Sequence, residues 1–227
     1  MRNPKLIKDR IACKASKFLK KGQIVNLGIG IPTLVANYIS DNFVYIHSEN
    51  GMLGVGPAPQ PGQEDQGLIN AGKKPVTEVE GVSYFDSAES FAMIRGGHIH
   101  VTILGALEIS ERGDIANWAV PGTSVMGIGG AMDLVVGAQQ VIVTTTHLTK
   151  DGSSKIVPYC NFPLTAEREV DILITEFAVF HFDLGRMILE EISSDITLEQ
   201  LKEITTANYE ISENLKIWPE SELGGAL

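Results

Sequence analysis

Residues 44–57 read VYIHSENGMLGVGP. Val44, Tyr45 and Ile46 are β-branched or aromatic, and they predict a buried strand that runs to His47. The chain then turns polar at His47, Ser48, Glu49 and Asn50 and meets Gly51, Gly54 and Gly56. A glycine-rich loop after a strand offers backbone N–H groups to a phosphate, and a carboxylate there would repel one. Yet the end of a strand is where open α/β sheets hold their ligands, and Asn50-Gly51 is a strong turn signal. Glu49 therefore has two readings. It is a solvated turn residue, the usual fate of a carboxylate. Or it is a partly desolvated nucleophile, with flanking glycines that leave room for a carbonyl. The stretch alone leaves both open.

Outward from this corner, the pattern alternates strands with helices. Residues 4–20 predict a helix with Ile7, Ile11, Ala15, Phe18 and Leu19 on one face, stopped by Gly22. Residues 23–27 predict a strand. Gly28, Gly30 and Pro32 predict a tight turn, and Thr33 a cap for a short helix. Residues 51–67 hold five Gly and three Pro and predict a long functional loop. A helix is expected over 87–95, strands over 101–104, 115–120 and 141–145, and a helix over 131–136. Residues 171–182 and 186–192 flank Asp183-Leu184-Gly185 as a hairpin. Thr197 opens a last helix. The expected fold is one α/β domain over residues 1–218, a mixed, largely parallel sheet flanked by helices, followed by a polar tail over 219–227.

Composition narrows the function. The 227 residues carry 18 Lys and Arg against 28 Asp and Glu, a formal net charge of −10. Such a chain is a poor binder of nucleic acid or anionic membrane surfaces. It repels a polyanionic cofactor at long range. Cys13 and Cys160 belong to no CxxC or Cys/His cluster and read as reduced, buried thiols. The charged start MRNPKLIKDR lacks the apolar core of a signal peptide, and no apolar run is long enough to span a bilayer. A cytoplasmic protein is expected.

Three further motifs carry weaker signals. NLGIGIP, residues 26–32, holds a GxG after a strand but lacks the third glycine of a dinucleotide fingerprint. GGHIHV, residues 96–101, would place His98 and His100 on one face of a strand. No third ligand stands at matching spacing, so no metal is expected. MGIGGAMDL, residues 126–134, sets glycines before a helix. That junction suits either an oxyanion, through aligned N–H groups, or close packing of the helix on the sheet.

HSENGMLGVGP resembles the signature around the catalytic glutamate of the family I coenzyme A transferases, in their B (beta) subunits. VNLGIGIPT, FDSAESFAMIRGGHIHVTILGALEIS, GDIANWAVPG, GIGGAMDLVVGAQQVIV and VDILITEFAVF also resemble family segments, in family order. The resemblance covers nearly the whole chain, from about residue 9 to about residue 211. Ile46 and Met52 depart conservatively from the signature, and His100 replaces an expected acidic residue. The resemblance implies the fold shared with ribose-phosphate isomerases. It implies ping-pong transfer of CoA between a short-chain or 3-oxoacyl-CoA and an acid such as acetate, butyrate or acetoacetate, through a glutamyl-CoA thioester on Glu49. Gly130, with Gly129, would bind the oxyanion; Asn50 and Ser48 would orient the glutamate. Gly28, Gly30, Gly51, Gly54 and Gly56 would shape the passage for the pantetheine arm. Coenzyme A enters as substrate and no cofactor stays bound. An A (alpha) subunit would complete the enzyme, as an A2B2 heterotetramer. The competing readings are an acyl-CoA hydrolase using the same glutamate, a sugar-phosphate isomerase, for which no base is evident, and a non-catalytic small-molecule-binding domain.

Overall fold

The computed structural model describes residues 3–40, 43–122 and 127–218. The expected tail over 219–227 lies outside them. A ten-stranded mixed sheet forms the centre. Its parallel middle is built from β1 (Ile24–Leu27), β2 (Tyr45–Ser48), β5 (Val101–Gly105), β8 (Val141–Thr144) and β10 (Ile172–Ile174). Beyond β2 lie β3 (Met52–Val55) and β4 (Glu78–Tyr84), both antiparallel to their neighbours. Beyond β10 lie β11 (Ala178–Asp183), β12 (Arg186–Ser193) and β13 (Glu210–Trp218). A small second sheet joins β6 (Glu108–Ser110), β7 (Ile115–Ala116) and β9 (Ile156–Val157).

The alternation of side chains along each strand feeds two cores. Val101 and Ile103, Ile142, and Ile172 and Ile174 face one core with Ile11, Ala12 and Ala15 of α1 (Pro4–Ser16). Leu104, Val141 and Val143, and Leu173 face the other. There they meet Ile94 of α3 (Ser87–Arg95), Leu134 and Val135 of α4 (Ala131–Gly137) and Leu201 of α5 (Leu198–Ile204). Full burial of each such Ile, Leu or Val is worth about 1.5–3 kcal/mol. Arg10 pairs with Asp195, and Lys14 pairs with Glu191, so α1 is tied to the β12 end of the sheet. The Lys14 ammonium also lies 4.7 Å from the Trp218 ring centre.

The structure revises several expectations. The first helix ends at Ser16, not residue 20, because tight turns at Phe18 and Leu19 fold the chain back to bury Leu19. Thr33 does not cap α2 (Ile31–Leu34). Gly30 is the cap, and the Thr33 hydroxyl donates to Gly28 O at 3.0 Å. The supposed loop over 51–67 begins with β3, and the loop proper runs from Gly56 to Thr77. Residues 171–182 form two strands, β10 and β11, that fold on each other antiparallel. Only Ile115–Ala116 of the 115–120 segment is a strand. The helices over 87–95 and at Thr197 stand where expected; Thr197 closes a capping box with Gln200.

Candidate active site

Glu49 lies in the tight turn between β2 and β3, not in a phosphate-type loop. Gly51 N donates to Ser48 O at 3.0 Å to close the turn, and Phe85 N donates to Gly51 O at 3.1 Å. Gly51 has φ 120°, and a Cβ there would sit 2.0 Å from Phe85 O. No other residue fits. Gly54 and Gly56 are packed the same way: added Cβ atoms would meet Val82 Cα at 3.0 Å and Thr77 Oγ1 at 2.5 Å. These three glycines let β4 and the loop approach closely. Gly28 is closed in by Ile103 O and Leu104, while Gly30 opens to free space.

Three elements meet around the Glu49 corner, two of them beside its side chain. From β1, Asn26 sends its amide across to β2, where it is paired in register with His47. Its Nδ2 donates to Glu49 Oε2 at 3.2 Å. From α3, Ser90 reaches His47 Nε2 at 3.0 Å, and Phe91 lies against the start of α4. From α4, Gly130 brings its backbone over the glutamate, so that a Cβ on it would lie 3.6 Å from Glu49 Cγ and 3.0 Å from the Phe91 ring. Arg95 Nε donates to Asp133 Oδ1 at 2.7 Å and clamps α3 to α4. Gly129, with φ 56°, faces open space.

Asn50 and Ser48 do something other than touch the carboxylate. Asn50 Nδ2 donates to Ile69 O at 2.8 Å, and Ser48 Oγ accepts from Ala71 N at 3.0 Å. They anchor the return of the 56–77 loop beside the Glu49 turn. Sequence reasoning missed Asn26, His47 and Ser90. The available signal was a polar residue inside a strand, Asn26 in IVNL, which a buried sheet tolerates only with a partner. His47 is 2% exposed, and burial pushes its imidazole down to about 4, so it is neutral.

The remaining candidates scatter. His98 and His100 precede β5, and His100 Nδ1 accepts from Ile24 N at 3.0 Å. Among the described residues, no group of three or more His, Cys, Asp or Glu side chains converges as a metal site. Cys13 and Cys160 are half-buried and form no disulfide with each other. Burial, with Glu108 and Asp114 nearby, pushes the Cys160 thiol up to about 12, so it is inert. No described helix is long and apolar enough to cross a membrane. Clefts of about 370 and 570 Å³ are lined by Glu111, Arg186 and Tyr209, and by Glu108, Lys150 and Phe162, away from Glu49.

The fold is an α/β scaffold known from solved structures. The chain superposes with a TM-score of 0.77 and 22% identity on the acyl-CoA transferase (YdiF) apoenzyme of Escherichia coli O157:H7, covering 100% of this chain and 47% of that one. This likeness establishes the α/β fold. Residues 8–203 match the coenzyme A transferase family, and the chain belongs to it. It is 53% identical over 209 residues to the B-type subunit of the probable succinyl-CoA:3-ketoacid coenzyme A transferase of Bacillus subtilis (strain 168), covering 92% of this chain and 97% of the relative. It is 47% identical over 209 residues to the beta subunit of the acetate CoA-transferase of Escherichia coli (strain K12), covering 92% and 95%.

Proposed function

We propose that this chain transfers coenzyme A between a short-chain acyl-CoA or 3-oxoacyl-CoA and a carboxylic acid, with Glu49 as the nucleophile. One Glu49 oxygen attacks the thioester carbonyl, the C–S bond breaks, and an acyl-glutamyl anhydride and CoA thiolate result. The thiolate then attacks the glutamyl carbonyl, the first acid departs, and a glutamyl-CoA thioester remains. A second carboxylate reverses the sequence. A glutamate suits this work because it attacks as an anion and becomes an electrophile once acylated.

The observation that carries the reading is the convergence on Glu49 of the Asn26 amide at 3.2 Å and of Gly130, packed so close that an added Cβ would lie 3.6 Å from Glu49 Cγ. An N–H at Gly130 would meet the oxyanion of each addition, and one such donor is worth about 3–4 kcal/mol. A cytoplasmic A (alpha) partner, in an A2B2 assembly, would cover the corner. Its need is supported by the exposed Ile29, Met132 and Val136 on the elements flanking Glu49, at 73%, 49% and 65%. It is also supported by the net charge of −10, which suits CoA phosphates poorly.

Intact-mass analysis of the assembled enzyme after addition of acyl-CoA tests the proposal. A CoA adduct on the peptide containing Glu49 is expected, and Glu49→Gln should lower exchange by roughly 1,000-fold or more while the subunits still assemble. An adduct elsewhere, or full activity in Glu49→Gln, overturns it. Release of free acid without transfer to acetate or acetoacetate would favour a hydrolase.

A further inference from the structure

Beside Glu49 lies a buried imidazole, His47, within hydrogen-bond reach of one buried amide, Asn26. Asn26 Nδ2 is 3.2 Å from Glu49 Oε2, 3.2 Å from His47 Nδ1 and 3.4 Å from His47 O. Asn26 is wholly buried, and its Oδ1 has no partner among the described residues. An unpaired buried amide oxygen is costly. Turning the amide over brings no relief, because Oδ1 would then face a carboxylate oxygen and a backbone carbonyl, both acceptors. The amide nitrogen thus belongs toward Glu49. It can also donate to His47 Nδ1 only if that nitrogen carries no hydrogen. A neutral ring then carries its hydrogen on Nε2, 3.0 Å from Ser90 Oγ, and donates to the serine.

We infer that His47 is a positioning residue: its Nε2–H form, held by Ser90, presents a lone pair that fixes the Asn26 amide with its NH2 toward the nucleophile. The inference rests on Glu49 being that nucleophile. The other tautomer would set Nδ1–H against the amide N–H. It would favour the turned amide, whose oxygen repels the Glu49 carboxylate. The position of one proton therefore sets the sign of a contact on the reacting group. Phe85 stacks on the imidazole at 6.0 Å and 11°, and Ser90 holds it from α3, so two side chains fix the ring plane. Burial keeps the ring uncharged throughout the neutral range.

A glutamine side chain can accept from Asn26 and donate to Ser90, as this tautomer does; leucine fills the space and does neither. In the assembled enzyme, His47→Leu should lower kcat by up to about 100-fold with KM for acyl-CoA little changed, and His47→Gln should recover most of the loss. With 15N-histidine in this chain alone, the His47 ring should show Nε2 protonated and Nδ1 bare from about pH 5 to pH 8. The His47→Gln spectrum assigns the signal. An Nδ1–H ring in the wild type overturns the inference, whatever the stability of the leucine variant. So does a His47→Leu enzyme that forms its CoA adduct at the wild-type rate. If the wild type itself forms no adduct on Glu49, it is the underlying nucleophile reading that fails instead.

Discussion

At the scale of single residues, the corner depends on how a buried amide meets a carboxylate. Asn26→Ala removes the donor to Glu49 Oε2 and leaves His47 Nδ1 without its partner. Its kcat should fall roughly 10- to 100-fold, about 1.5–3 kcal/mol, the worth of a hydrogen bond to a charged group. Asn26→Asp should do worse, because it sets a second carboxylate against the first. Steady-state kinetics of both variants decides this, and equal losses would show that the charge at position 26 is immaterial. Glu49 was conspicuous in the sequence as a charged residue amid glycines at a strand end, and the family resemblance, not the stretch itself, singled it out as a candidate. Asn26 was not. One polar residue in IVNL acquires meaning only when β1 pairs with β2 and sets Asn26 opposite His47.

At the scale of elements, Glu49, the proposed nucleophile, is held by a hairpin turn whose shape is made by backbone crowding. Gly51→Ala would combine φ 120° with a Cβ 2.0 Å from Phe85 O. It should destabilise the protein by about 2–4 kcal/mol, seen as a lowered urea midpoint, and should displace Glu49 as well. Thr197→Ala, by contrast, removes only the α5 capping box. It should cost about 1 kcal/mol and leave exchange intact. Helices with both a cap and a stop were legible: Asp86 accepts from Glu89 N at 2.8 Å to start α3, and Gly96 ends it. Strand β3 was not, since Gly51, Gly54 and Gly56 read as loop. Only the close approach of the β4 backbone turns those glycines into a packing requirement.

At the scale of the molecule, two buried imidazoles give the fold a pH dependence. His47 and His147 are both held down to about 4 by burial, against 6.5 in an open chain. Unfolding therefore takes up protons between those values. Stability should be full above about pH 6.5 and fall on acidification toward pH 4, by at most about 1.4 kcal/mol per pH unit for each ring. Glu176, pushed up by burial, works in the opposite direction. Urea unfolding at several pH values, with His147→Gln for comparison, checks the sign and the slope. The amino-acid sequence by itself determined the α/β class and the helices with marked ends, because periodicity and capping are local, and its resemblance to a family singled out Glu49 as the candidate nucleophile. Tertiary structure alone decided the strand order, the conversion of Gly51, Gly54 and Gly56 from loop to close packing, and the placing of Asn26, His47, Ser90 and Gly130 around one carboxylate. Those contacts join residues far apart in the chain, and only sheet register and helix docking bring them within hydrogen-bond reach.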